Sequence, residues 1–76
     1  MPARLRDLAR VLKHFGVEVV EGGGRHNYRA TKLGYRLFPI PAHGGWRSEV
    51  TDKYINKACQ NFGIDRAELW KLLRDG

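Results

Sequence analysis

The chain has 76 residues, with 14 Lys and Arg against 8 Asp and Glu and a formal net charge of +6. A chain of this length buries about 60% of the surface it exposes when unfolded, which supports one small core and excludes a second domain, so residues 1–76 are read as a single domain. It shows no apolar run near the roughly 20 residues of a bilayer span and no basic-then-apolar leader, and its charge favours a polyanionic partner, nucleic acid ahead of a membrane, in a soluble cytoplasmic protein.

Leu5, Leu8, Leu12 and Phe15, with Val11 beside them, recur at steps of three and four, which predicts a helix over 3–15. Pro2 suits its first turn and Gly16 the left-handed position just past its end. Arg4, Arg6, Arg10 and Lys13 fall off the apolar stripe and face solvent or a partner, and His14 reads as a surface histidine favoured by the helix dipole. Residues 17–21 are rich in β-branched side chains and predict a strand. Gly22, Gly23 and Gly24 predict a tight reversal into a second strand over 25–32, the two pairing as a hairpin. Alternation puts His26, Tyr28 and Ala30 on one face of that strand and Arg25, Asn27, Arg29 and Thr31 on the other. Leu33-Gly34 supplies a turn, and residues 35–40 predict a third strand that Pro39 and Pro41 confine to its end or to a sheet edge.

A second helix is expected after Trp46, with Ser48 or Thr51 as its cap, Val50, Tyr54, Ile55, Ala58 and Phe62 as its buried stripe and Gly63 as its stop. The single cysteine, Cys59, reads as a small buried residue on that helix. Asp65 and Glu68 have the spacing of a capping box, opening a short terminal helix whose apolar surface is Leu69, Trp70, Leu72 and Leu73. The predicted class is α+β: a two-layer α-β-β-β-α arrangement with a short extra C-terminal helix. Its three-stranded antiparallel sheet carries both long helices on one face and leaves the other partly open. Double-stranded-RNA-binding domains share that arrangement, and they read duplex shape and phosphates rather than base edges.

His26 is the candidate for chemistry. Its alternative reading is a structural strand histidine half-buried beside Tyr28. As a catalyst it would take the proton from a ribose 2′-OH while cationic side chains stabilise charge on the phosphate, with no metal or other cofactor required. Arg25, Arg29, Arg36 and Lys32 are the candidate phosphate contacts. His43, in the loop feeding the second helix, is either a second acid/base or phosphate contact, or a loop histidine that fixes the turn through its ring. Trp46 beside Arg47 either stacks on a base or covers the end of the core.

The runs Gly24-Arg25-His26-Asn27-Tyr28, then Gly34-Tyr35-Arg36-Leu37-Phe38-Pro39-Ile40-Pro41-Ala42-His43-Gly44, then Glu49-Val50-Thr51-Asp52-Lys53-Tyr54-Ile55 resemble the HicA (YcfA-like) toxin family over nearly the whole chain. The resemblance implies a small mRNA interferase with a double-stranded-RNA-binding-like fold and a cognate HicB-like antitoxin that covers its active site. It also implies that His26 stands at the position of the catalytic histidine, which in the family follows serine where this chain has Arg25. The step from proline to histidine before the second helix is matched loosely by Pro41-Ala42-His43.

The expected function is therefore a metal-independent endoribonuclease, the toxin of a type II toxin-antitoxin pair. Its partners would be mRNA and the antitoxin, with DNA reached only through the antitoxin. The competing readings are a non-catalytic RNA-binding module and a DNA-binding helix-turn-helix over 54–73. The last is disfavoured because the final helix offers packing residues where a recognition helix needs a polar face.

Overall fold

The computed structural model describes residues 3–22, 27–42 and 44–75; Gly23, Gly24, Arg25, His26 and His43 are among those outside the described residues. The elements run β1 (Ala3–Arg4), α1 (Leu5–His14), β2 (Glu18–Glu21), β3 (Asn27–Thr31), β4 (Phe38–Pro41), a 3-10 turn (Gly45–Arg47), β5 (Glu49–Val50), α2 (Asp52–Phe62) and α3 (Arg66–Asp75). The class is α+β as expected, with an antiparallel sheet in the order β2-β3-β4 and three helices.

Alternation along the strands builds the two sides of the sheet. Val19, Ala30 and Phe38 stand side by side across the ladders, as do Glu21, Tyr28 and Ile40. Tyr28, Ala30 and Ile40 are buried, whereas Val20, Arg29 and Pro39, one residue along and on the opposite face, are exposed. Leu5, Leu8, Val11 and Leu12 of α1, Ile55, Ala58, Cys59 and Phe62 of α2, and Leu69 of α3 are buried in the core. The other sheet face remains open, as the two-layer reading requires.

Two short strands were not legible in the sequence. The helix predicted from residue 3 begins at Leu5, because Ala3 and Arg4 are extended and pair with Val50 and Glu49. Val50 is therefore a strand residue and not part of the α2 stripe. Arg4 occupies the N-cap position without a side-chain bond, and the Leu5 N–H is satisfied by the Ser48 carbonyl at 2.7 Å. A helix start held by a distant backbone group leaves no capping signature in the local sequence.

The third strand is also shorter and later than predicted. The Tyr35 N–H donates to the Lys32 carbonyl at 3.0 Å, and the Asn61 side-chain amide donates to the Arg36 carbonyl at 2.7 Å. The Tyr35 ring lies 6.1 Å from that of Phe62. Residues 35–37 are thus tied to the end of α2 instead of extending the ladder. Tyr54, expected in the buried stripe, is 38% exposed, with Phe38 at 6.5 Å and the Lys57 ammonium 5.9 Å from its ring.

Helix ends follow the local chemistry. Gly16 (φ +83°) and Gly63 (φ +65°) take the left-handed conformation that closes α1 and α2, as expected. Thr51 is the N-cap residue of α2 but makes no side-chain capping bond, while the Ser48 hydroxyl accepts the Gly44 N–H at 2.6 Å. Asp65 accepts the Ala67 N–H at 3.1 Å at the start of α3, which is as long as α1 rather than short. Trp70 donates its indole N–H to the Asn56 side-chain carbonyl at 3.1 Å, fastening α3 to α2.

Cys59 is buried, and burial is the main cause that raises its thiol above the ordinary value, with Arg66 opposing. An inert thiol inside the core is a built-in probe of folding. Phe62→Ala should cost about 3 to 5 kcal/mol by leaving a cavity beneath β4. Cys59 should then react rapidly with a thiol reagent under conditions where the parent resists; equal protection in the two proteins would contradict this packing.

Candidate nucleic-acid interface

The β3–β4 ladder places Asn27 opposite Pro41. Asn27 is the residue after His26, and Pro41 lies two residues before His43. Asn27 and Pro41 thus mark one end of the sheet. Arg25, His26 and His43 themselves lie outside the described residues.

That end is walled by aromatic rings. Tyr28 is buried, and its ring meets Trp46 edge to face with centroids 4.8 Å apart. A Cβ on Gly45 would come 3.4 Å from the Tyr28 hydroxyl, so the turn carrying Trp46 sits close over β3, and Gly45 also has a positive φ of 68°. Burial, with the Glu21 carboxylate across the ladder as the smaller cause, raises the Tyr28 phenol above its usual value. Trp46 is still 37% exposed. Its packing on Tyr28 bears out the covering role the sequence offered, at the end of the core.

Arg47 follows Trp46 and is exposed, in a shallow depression of about 310 Å³ with Pro41, Ala42, Gly44, Ser48 and Glu49. It belongs with the candidate phosphate contacts although composition and charge alone did not single it out. The signal was its place directly after the Gly44-Gly45-Trp46 turn.

The other candidates spread along the sheet. Arg29 projects from the open face midway along β3, opposite Val20 and Pro39 and two residues from Asn27, about 7 Å at strand spacing. Lys32 and Arg36 lie past the far end of β3, in the connection to β4. The Lys32 ammonium sits 5.1 Å from the Tyr35 ring centroid, and Arg36 is exposed on the segment held by Asn61. Along the chain Arg29 stands two residues from Asn27 and Lys32 five, about 7 and 17 Å at strand spacing, while Arg47 follows the turn near the Asn27–Pro41 end and Arg36 lies in the connection beyond the other end of β3.

Among the described residues, no group of three or more His, Cys, Asp and Glu side chains is arranged to hold a metal ion. No helix is long and apolar enough to cross a membrane among the described residues. Comparison of the chain with models of known protein families, with curated proteins and with solved structures gives no match in any of the three.

Proposed function

We propose that this chain is an endoribonuclease of the HicA type, with a double-stranded-RNA-binding-like fold, that acts in the cytoplasm on mRNA as the toxin of a toxin-antitoxin pair. The reading rests on the HicA-like runs around His26 and His43 and on the excess of 14 basic over 8 acidic residues. The observation that carries it is the pairing of Asn27 with Pro41, the residue after His26 in the sequence with the residue two before His43.

In this mechanism His26 takes the proton from a ribose 2′-OH, the oxygen attacks the adjacent phosphorus, and the 5′-oxygen of the next nucleotide leaves with a proton from a second acid. His43 is the candidate for that acid. Arg25, Arg29 and Arg47 stabilise the charge that builds on the phosphate. Lys32 and Arg36, at the other end of β3, suit phosphates further along the strand, where they hold RNA without touching the reacting bond. Trp46 offers its exposed side to a base. The proposed antitoxin is HicB-like and blocks access to His26.

Purified protein should cleave RNA in the presence of a chelator, and His26→Ala should lower the rate by about 10²- to 10⁴-fold with RNA binding retained. Cleavage at the parental rate by that variant would remove His26 from the mechanism. Binding without cleavage by the parent would favour the RNA-binding-module reading.

The two groups of cations should separate kinetically. Arg29→Ala and Arg47→Ala should lower kcat on a minimal dinucleotide substrate. Lys32→Ala and Arg36→Ala should leave that substrate unaffected and weaken binding of longer RNA, each removing about 0.7 from the slope of log K against log salt. Equal losses on the dinucleotide for both pairs would contradict the division.

A further inference from the structure

Large apolar side chains left at the surface are concentrated at one corner of the molecule. Of the six among the described residues, Leu33, Tyr35 and Leu37 lie on the connection from β3 to β4, and Tyr54 lies on α2. A single run of rings joins the two elements: Tyr35 meets Phe62 at 6.1 Å, Phe62 meets Phe38 at 6.4 Å, and Phe38 meets Tyr54 at 6.5 Å. Phe62 is buried and anchors the run, while Tyr35 and Tyr54 at its ends are 46% and 38% exposed. Core packing accounts for Phe38 and Phe62 but not for two end rings left partly in water.

Both end rings have a cation beside them. The Lys32 ammonium lies 5.1 Å from the Tyr35 centroid and the Lys57 ammonium 5.9 Å from the Tyr54 centroid, each lysine three residues from its ring. Residues 32–38 also carry Arg36 and contain no carboxylate. On α2, helical spacing puts Tyr54, Lys57 and Asn61 on one flank, whereas Asp52 and Asn56 line a depression with Arg4 and Trp70 on the other. The corner is fixed before anything binds, because the Asn61 amide donates to the Arg36 carbonyl at 2.7 Å and the Tyr35 N–H closes a turn onto the Lys32 carbonyl.

We propose that Tyr35 and Tyr54, with Lys32 and Lys57, form a stacking site for unpaired nucleotides of a bound RNA strand. The site rests on the ribonuclease reading for the identity of its ligand and not for cleavage. Each nucleotide presents a flat base to a tyrosine and a phosphate to its lysine, and the strand repeats that pair. A peptide carboxylate would meet the ammonium and leave the ring unstacked, and a second copy of the chain would bring another net charge of +6. An exposed cation–π contact is weaker than the stacking of a base, so a base displaces the ammonium from the ring and the ammonium turns to the phosphate. Only unpaired bases offer their faces, so a duplex cannot use the rings.

The probe is a fluorescently labelled single-stranded decamer of alternating adenosine and cytidine, methylated on each 2′-oxygen, titrated with the full chain and followed by anisotropy. Tyr35→Leu/Tyr54→Leu should bind it at least about tenfold more weakly, whereas Tyr35→Phe/Tyr54→Phe, which keeps both rings, should stay within about twofold of the parent. Protection of Cys59 from a thiol reagent reports the fold of each variant. An abasic phosphodiester chain of equal length should bind the parent more weakly, and neither it nor the decamer annealed to its complement should respond to the leucine exchange. The proposal is overturned by parental affinity in the leucine variant, by equal binding of the abasic chain, by an equal loss on the duplex, or by no saturation up to about 1 mM. It is equally overturned if the Tyr35 and Tyr54 ring resonances shift on dilution of the free protein, revealing self-association, or if a glutamate-rich peptide shows the same loss on leucine exchange, revealing a protein site. Ring-dependent binding without cleavage of unmodified RNA would uphold the site and remove the ribonuclease reading. Dinucleotide cleavage by a parent whose decamer binding ignores the rings would do the reverse.

Discussion

The register of β4 against β3 is the constraint on which the rest of the molecule depends. Pro39 and Pro41 tolerate only pairings that turn their nitrogens outward, and the same parity sends Phe38 and Ile40 towards the helices. A slip by one residue would remove ladder bonds and expose the apolar pair together. Two independent requirements thus agree on one alignment, and that alignment puts Asn27 beside Pro41. The inward placement of Tyr28, its contact with Trp46 and the seat of the Gly44–Arg47 turn over β3 all follow from it.

The parts of the fold that were legible in the sequence are those in which local pattern and tertiary burial coincide. The 3-4 spacing of Leu5, Leu8 and Leu12, the left-handed glycines at 16 and 63, the proline-marked edge strand and the apolar surface of the last helix were all readable, because each follows from neighbours in the chain. The β1–β5 pairing was not. Two residues at positions 3–4 and two at 49–50 become strands only because they meet, and no local propensity marks such short pieces. Residues 35–37 misled for a related reason. Tyr35 and Leu37 look like strand residues, but a side-chain amide on a distant helix captures the Arg36 carbonyl and holds them at the end of α2.

For the site, residue types pointed to phosphodiester chemistry but not to the distances between them. Arg29, Lys32 and Arg36 looked equivalent as cations near a histidine, whereas the strand spacing grades them, with Arg29 midway along β3 and Lys32 and Arg36 past its far end. Arg47 joins the Asn27–Pro41 end through the turn, a relation that depends on the chain reversing after β4. The open sheet face and the closed helix face also give the molecule a polarity. Under the proposed function, a polyanion follows the exposed face and the Trp46 end.

The central claim is that His26 and His43 serve one RNA site. The chain contains three histidines, and His14, exposed at the end of α1 and edge to face with Phe15 at 5.5 Å, provides an internal control. The most direct measurement follows the imidazole resonances of all three as a non-cleavable RNA oligonucleotide, methylated on each 2′-oxygen, is added. The account predicts that the His26 and His43 rings shift together along one saturation curve while His14 stays in place. Shifts dominated by His14, or a response of His43 without His26, would contradict it.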